Sequence, residues 1–505
     1  MSLKKNILAS YATQIYVTLV GILILPLYLK YMGAEAYGLV GFFTMLQAWF
    51  NLLDMGLTPT VARETARFRG GATDALSYLR LLRGLQLIFC AIALLGGGVM
   101  FAFSGAIAER WLNVQTLPLA QVELALQLMA VGVALRWMSG FYRGYFLGAE
   151  QLVWLSGFNT ILATMRFAGI IPILAFVNNS IEIFFAYQII VAAIEITILF
   201  KKYKQSNKQI SINLKISWIP ANLFAEIKRI IKFTTIMTFA SIAWILITQT
   251  DKLILSKIIP LTDYAYFHMA TLAASSILLI SNPISNSLLP RMVLSFSKNI
   301  DDFLKIYSNA TQWICISAIP TCAILFMHSE KIIFLWTNNY YLSQKISPTL
   351  SLYSLGNGIL AISSIPYFIQ YSAGKLRLHL LGTFIFLIVL IPSLMWATEK
   401  YGIAGAGWVW VAINTIYLFF WIPFIHHVFL PDFHRNWIKK EILPITLIAF
   451  STTWATTYIP WPKERLFSFA TLAITGIAVF LLSSLGSSLI RKKITLHLDK
   501  ACTPK

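Results

Sequence analysis

The sequence predicts an all-α polytopic membrane protein with about fourteen transmembrane helices. Composition is the first reason. Of 505 residues, 58% are apolar and 12% are charged, where a soluble domain carries roughly 45–50% apolar and about 25% charged residues. Segment length is the second. The apolar residues run in solid stretches of the ~20 residues a helix needs to cross the hydrocarbon core, not in the ~10-residue alternating segments of a membrane barrel. The third is charge. Forty Lys and Arg stand against 20 Asp and Glu, an excess that in a membrane protein marks loops held against anionic lipid rather than a nucleic-acid surface. An ordinary soluble enzyme, a disordered chain and a secreted disulfide scaffold are excluded.

In chain order, spans are predicted near 6–29, 37–57, 84–105, 121–146, 151–177, 181–200, 230–255, 264–289, 304–328, 350–372, 377–398, 402–425, 441–459 and 466–489. The first follows a short basic N-terminus and has no small-residue cleavage site behind it. It therefore reads as a retained helix rather than a signal peptide. With the N-terminus in the cytoplasm and each span reversing side, 30 of the 40 basic residues fall on the cytoplasmic side, nine fall outside and Arg166 lies within the fifth span. This asymmetry places both termini in the cytoplasm of a multi-pass protein. Trp111, Trp336 and Trp461 sit near outer span ends, as an interfacial belt requires. The four cysteines form no CxxC pair, which leaves zinc and redox motifs absent.

The connections are short. The longest outer one is read as a loop near 329–349, and the longest cytoplasmic one is the basic stretch 201–229. Neither can hold a catalytic domain, so function must sit within the bundle, which argues for transport and against an enzyme. The basic stretch divides the chain into an N-terminal six-helix lobe (1–200), a linker (201–229), a C-terminal six-helix lobe (230–425) and a last segment (426–505) of two helices and a basic tail. A weak echo between Tyr37-Gly38 and Tyr264-Ala265, and between Pro172 and Pro392, is consistent with repeated halves.

Ionisable residues inside spans are functional candidates, because inserting each costs about 2.5–3.5 kcal/mol. Arg136 and Arg143, seven apart, share one face of the fourth span, and Arg166 lies in the fifth. The guanidinium fork suits phosphate oxygens, so these three are candidates for binding an anion. Arg143 could instead snorkel to the lipid surface. Asp54, Glu195 and Asp251 are candidates for coupling or gating. Asp54 could equally tie down a helix end, and Asp251 could neutralise Lys252. Glu195 is expected to pair with Arg136 or Arg166, or to carry a proton. Gln14, Gln47, Asn51, Asn159 and Gln188 could line a polar path or simply bond between helices. His379 reads as a packed histidine, and residues 59–70 as a short amphipathic helix on the inner surface.

Several segments carry a family resemblance. Leu25-Pro26-Leu27-Tyr28-Leu29-Lys30-Tyr31-Met32-Gly33 runs into Ala36-Tyr37-Gly38-Leu39, and Leu53-Asp54-Met55-Gly56-Leu57 is followed by Ala62-Arg63-Glu64. Asp251-Lys252-Leu253-Ile254-Leu255-Ser256, Gly374-Lys375 and Tyr401-Gly402-Ile403-Ala404-Gly405-Ala406 follow in the second half. This order resembles the polysaccharide transporter family, the Wzx-type flippases of O-antigen and capsule repeat units, in the superfamily of the MATE multidrug exporters and the lipid II flippase. The resemblance covers roughly residues 1–425. It implies two six-helix lobes in a MATE-like V, with the last two helices as additions. It also implies export of undecaprenyl-diphosphate-linked O-antigen, capsule or exopolysaccharide units from the inner to the outer leaflet of the bacterial inner membrane. The diphosphate would dock on Arg136, Arg143 and Arg166, with Lys252 in a recurring motif. Coupling to a proton or cation is implied, with no cofactor and no metal. Expected partners are the lipid-linked oligosaccharide, membrane lipids, and a polymerase and chain-length regulator, with no nucleic acid. The alternatives are a multidrug or small-molecule antiporter of the same superfamily, which would need an acidic cavity, and a lipid II flippase.

Overall fold

The computed structural model describes residues 3–54, 56–211, 242, 244–462, 464–492 and 495. Among them the regular structure is helical, with one isolated bridge between Asn113 and Pro260. Eleven helical segments are long and apolar enough to cross a membrane. The first six predicted spans correspond to Ala9–Met32, Ala34–Asp54, Ala75–Ala102, Leu119–Gly148, Leu152–Phe176 and Ile181–Asn207. Leu261–Ser281, Ile300–Met327, Tyr340–Ser372, Arg377–Phe429 and Arg465–Leu485 follow.

The number differs from fourteen at three places. Residues 212–240, which hold most of the predicted basic linker and the start of the seventh predicted span, lie outside the described residues. Arg377–Phe429 is one 53-residue segment across two predicted spans. Its chain turns at Gly402, whose φ of 60° and ψ of −142° are open to a residue without Cβ. The helix Leu443–Thr457 continues the helical turns Phe433–Asn436 and Trp437–Ile442, where Arg435, Lys439, Lys440 and Glu441 make the run more polar, and it is not among the eleven apolar segments. The predicted outer loop near 329–349 is corrected outright. It forms the helix Ser329–Thr337 and the start of Tyr340–Ser363, separated by Asn338 in the left-handed conformation that ends helices. Ile333 and Leu335 bury in the helix that composition alone had marked as loop.

The outward faces are apolar. Leu94 and Leu95 are 70% exposed, Phe420 75% and Leu466 77%. Surface of this kind on helices of spanning length is solvated by hydrocarbon rather than water.

The described chain forms two compact units, Met1–Ala265 and Tyr266–Lys505. In the first, Leu119–Gly148 is the central helix, packed by Ala75–Ala102, Ile181–Ser211 and the short helix Leu57–Arg69. The short helix comes close because Gly140, Gly144 and Gly148 recur one turn apart on the facing side. A Cβ on Gly148 would lie 2.1 Å from the Ala62 carbonyl oxygen, and one on Gly144 2.6 Å from that of Thr58. The predicted amphipathic helix thus buries Val61, Glu64 and Thr65 and leaves Arg63, Arg67 and Arg69 outward. Asp54 fixes its start, accepting from the Thr58 amide at 3.1 Å and the Thr58 hydroxyl at 2.7 Å. Asp74 caps Ala75–Ala102 by accepting from Ser77 N at 2.9 Å.

In the second unit, Ile300–Met327 packs against Tyr340–Ser363 and Leu443–Thr457 around buried Cys315, Ile319 and Cys322. Trp410 presses on Gly356 and donates to Asn357 Oδ1 at 3.0 Å. His379 packs against the Tyr367 ring, with centroids 4.7 Å apart.

Gly148→Ala should lower stability in detergent by about 1–3 kcal/mol, the usual cost of overpacking. Gly157, where an added Cβ meets nothing within 4 Å, is the control site. Equal melting temperatures for Gly148→Ala and Gly157→Ala would show that the close helix approach is not needed.

Candidate anion site in the first unit

The helix Leu119–Gly148 presents Arg136 and Arg143 two turns apart on one face. The third arginine owes its position to a local irregularity. Thr164–Ala168 winds as a π-helical turn between Leu152–Ala163 and Ile171–Phe176. Such turns release backbone carbonyls from the i→i−4 ladder, and in a membrane these must find other donors. Here three successive carbonyls do. Tyr187 donates its hydroxyl to Met165 O at 2.8 Å, Gln188 donates Nε2 to Arg166 O at 3.0 Å, and Tyr28 donates to Phe167 O at 2.7 Å. Gly169 leaves room for the Tyr187 hydroxyl, which would sit 2.3 Å from a Cβ.

Glu195, on Ile181–Ser211, is 1% exposed and uses both oxygens on arginine. Oε1 accepts from Arg143 Nη2 at 2.6 Å and Nε at 3.1 Å, and Oε2 accepts from Arg166 Nη2 at 2.7 Å. Arg143 also donates Nη1 to Asn159 Oδ1 at 2.6 Å. Arg136 is held differently. It donates Nη1 to Gln47 Oε1 at 2.9 Å and Nη2 to Gln188 Oε1, and lies 4.9 Å from the centre of the Phe43 ring. Its partners are neutral amides and an aromatic face. Among the described residues it has no carboxylate within ion-pair distance.

These side chains line one cavity of 790 Å³, together with Gln14, Gln47, Asn51, Asp54 and Asn159. Among the described lining residues three guanidinium groups face two carboxylates, Glu195 and Asp54, a net positive charge. Arg143 is committed to Glu195 and Asn159 rather than snorkelling. Glu195 pairs with Arg143 and Arg166, and does not bond to Arg136. Gln188 lies behind the lining and links Arg136 to the Arg166 backbone. Asp251 and Lys252 are not among the lining residues. Lys252 Nζ sits 3.3 Å from Asp251 Oδ1 and donates to Thr248 O at 2.6 Å, so the two charges satisfy each other.

Sequence reasoning missed Phe43, Thr13, Trp244 and the two tyrosines that hold the π turn. Gly169 and Pro172, close behind Arg166, were the available signal. They mark a helix whose backbone needs outside donors.

A family described as polysaccharide biosynthesis protein matches residues 3–296, more than half of the chain. The chain belongs to that family. It is 22% identical over 413 residues to a Shigella flexneri protein named "Putative O-antigen transporter", covering 81% of this chain and 94% of that protein. Among solved structures, the lipid II flippase MurJ in an inward closed conformation superposes with a TM-score of 0.70 at 14% identity, covering 98% of this chain and 100% of MurJ. An inward-facing MATE family multidrug resistance transporter superposes with a TM-score of 0.62 at 11% identity, covering 84% and 98%. The all-helical fold is therefore like that of these two structures.

Glu195→Ala would leave two guanidiniums facing each other without a counter-charge. It should cost about 3 kcal/mol, the lower end for breaking a buried pair, because the arginines also face the cavity. Asn159→Ala removes one hydrogen bond and should cost about 1 kcal/mol. Thermal unfolding in neutral detergent checks both. A Glu195→Ala midpoint equal to wild type would contradict the bridging role.

Proposed function

We propose that this protein is a flippase. It moves undecaprenyl-diphosphate-linked O-antigen, capsule or exopolysaccharide repeat units from the cytoplasmic to the periplasmic leaflet of the bacterial inner membrane by alternating access. The observation that carries the reading is Arg136, a cation lining the cavity whose partners are two amides and an aromatic ring. Its charge is free to meet an anion, and a diphosphate supplies oxygens in the geometry that guanidinium groups bind best. Arg166 and Arg143 would join once the diphosphate competes with Glu195 for them. The polar side chains Gln14, Gln47, Asn51 and Asn159 suit sugar hydroxyls.

Membership of the polysaccharide biosynthesis family and similarity to an O-antigen transporter support the substrate class. The distribution of basic residues supports cytoplasmic termini. In this reading Glu195 acts as a resident counter-ion that the substrate displaces, and Asp54 as the anchor of the Leu57–Arg69 helix. A cation-exporting multidrug antiporter fits less well, since the net charge of the lining repels its substrates.

Inverted membrane vesicles supplied with lipid-linked repeat units test the proposal. Arg136→Ala and Arg166→Ala should each lower translocation about 10- to 100-fold, the equivalent of one charge-assisted hydrogen bond or slightly more, at unchanged protein level. Wild-type rates in both variants would overturn the anion site.

A further inference from the structure

A second basic cavity lies wholly within the second unit, and the flippase reading makes no use of it. Its volume is 510 Å³, within the range of about 300–1,000 Å³ that ligand sites occupy. Arg291 and Lys492 line it, with Leu288, Ile306 and Trp313 as apolar walls and Asn309 as a polar side chain. Among the described residues no acidic side chain lines it. Among the described residues neither Arg291 nor Lys492 has a carboxylate within ion-pair distance. The nearby Glu441 accepts from Gln312 Nε2 and interacts electrostatically with Lys440 and Lys492 without closing to an ion pair with Lys492.

The position of the cavity matters as much as its charge. Arg291 lies in the C-terminal part of the helix Leu261–Lys298, just past the predicted span 264–289, and Lys492 lies beyond Leu485, where another apolar segment ends. Ile306, Asn309 and Trp313 stand on the first half of Ile300–Met327. Cations thus sit where apolar segments give out, beside an apolar wall and an indole. This is the layering of a membrane interface, with phosphate level above acyl chain.

The cavity is also built. Gln312 is buried and ties down the segment that carries Lys492. Its Oε1 accepts from Leu489 N at 3.0 Å and from the Ser487 hydroxyl, and its Nε2 donates to Ser488 Oγ at 2.9 Å. Lys492 therefore stands on a fixed helical turn packed against Ile300–Met327, and not on a loose tail.

We infer that this cavity binds the headgroup phosphate of an anionic phospholipid, with Arg291 and Lys492 on the phosphate and the acyl chains along Leu288, Ile306 and Trp313. The apolar wall commits the site to a lipid rather than to free phosphate. The site lies on a different unit from Arg136, so lipid composition would act on the second unit without entering the 790 Å³ cavity.

The test titrates the purified full chain in neutral detergent with phosphatidylglycerol, phosphatidylcholine or inorganic phosphate, and reads thermal stabilisation. Wild type should bind phosphatidylglycerol and ignore both other probes, a result that needs no variant. In Arg291→Gln/Lys492→Gln, apparent affinity for phosphatidylglycerol should fall roughly 30-fold, about a factor of five for each cation. Both cations are exposed, so the variant should melt at the wild-type temperature without lipid. Arg136→Gln should bind phosphatidylglycerol like wild type. Equal response to phosphatidylcholine, competition by inorganic phosphate, an unchanged affinity in the double variant, or loss in Arg136→Gln would each overturn the site.

Discussion

The first unit depends on one buried carboxylate. Glu195 bridges Arg143 and Arg166, each at 2.6–2.7 Å, from a position almost without exposure. Three guanidinium groups in a single cavity would otherwise repel one another in surroundings of low dielectric, where Coulomb energies are several-fold larger than in water. With Glu195 in place, Arg143 and Arg166 share one counter-charge and can be buried side by side. Arg136, held by two amides and an aromatic ring, has no carboxylate within ion-pair distance among the described residues. The π turn at Thr164–Ala168 and the tyrosines that satisfy its carbonyls exist to bring Arg166 to this carboxylate. Gln188 then couples the Arg136 guanidinium to the same turn.

This arrangement suits a carrier better than a permanent binding site. In the proposed cycle an anion entering the cavity would meet Arg136 first and gain the other two arginines by exchange with Glu195. Exchanging a carboxylate for a phosphate on the same guanidinium groups is close to balanced, because the hydrogen bonds lost and gained are alike. A nearly balanced exchange permits release, whereas three uncompensated arginines would hold a diphosphate too firmly. The resident carboxylate also lets the cavity stay folded when empty.

Much of this was legible in the chain. Periodic apolar runs and the positions of basic residues place most helices, since membrane insertion depends on length and charge, which are local properties. Arg136, Arg143, Arg166 and Glu195 stand out because ionisable residues are costly in spans. Pairing was not legible. Glu195 meets Arg143 because three helices converge, a relation that spacing along one helix does not contain. The amide and aromatic setting of Arg136 depends on Gln47, Gln188 and Phe43 from two other helices. Lys252 pairs within its own helix, where its sequence neighbour Asp251 lies 3.3 Å away. The helix Ser329–Thr337 was missed because it is too short for a span and its ends carry polar residues.

The central claim is that the cavity recognises a lipid diphosphate through arginine. Equilibrium binding of undecaprenyl diphosphate and of uncharged undecaprenol to the purified protein tests it most directly. The account predicts that wild type prefers the diphosphate by about 10-fold or more per engaged arginine, that the preference weakens as salt rises, and that Arg136→Gln removes most of it. Equal affinity for the two lipids, or a preference that survives Arg136→Gln unchanged, would contradict it.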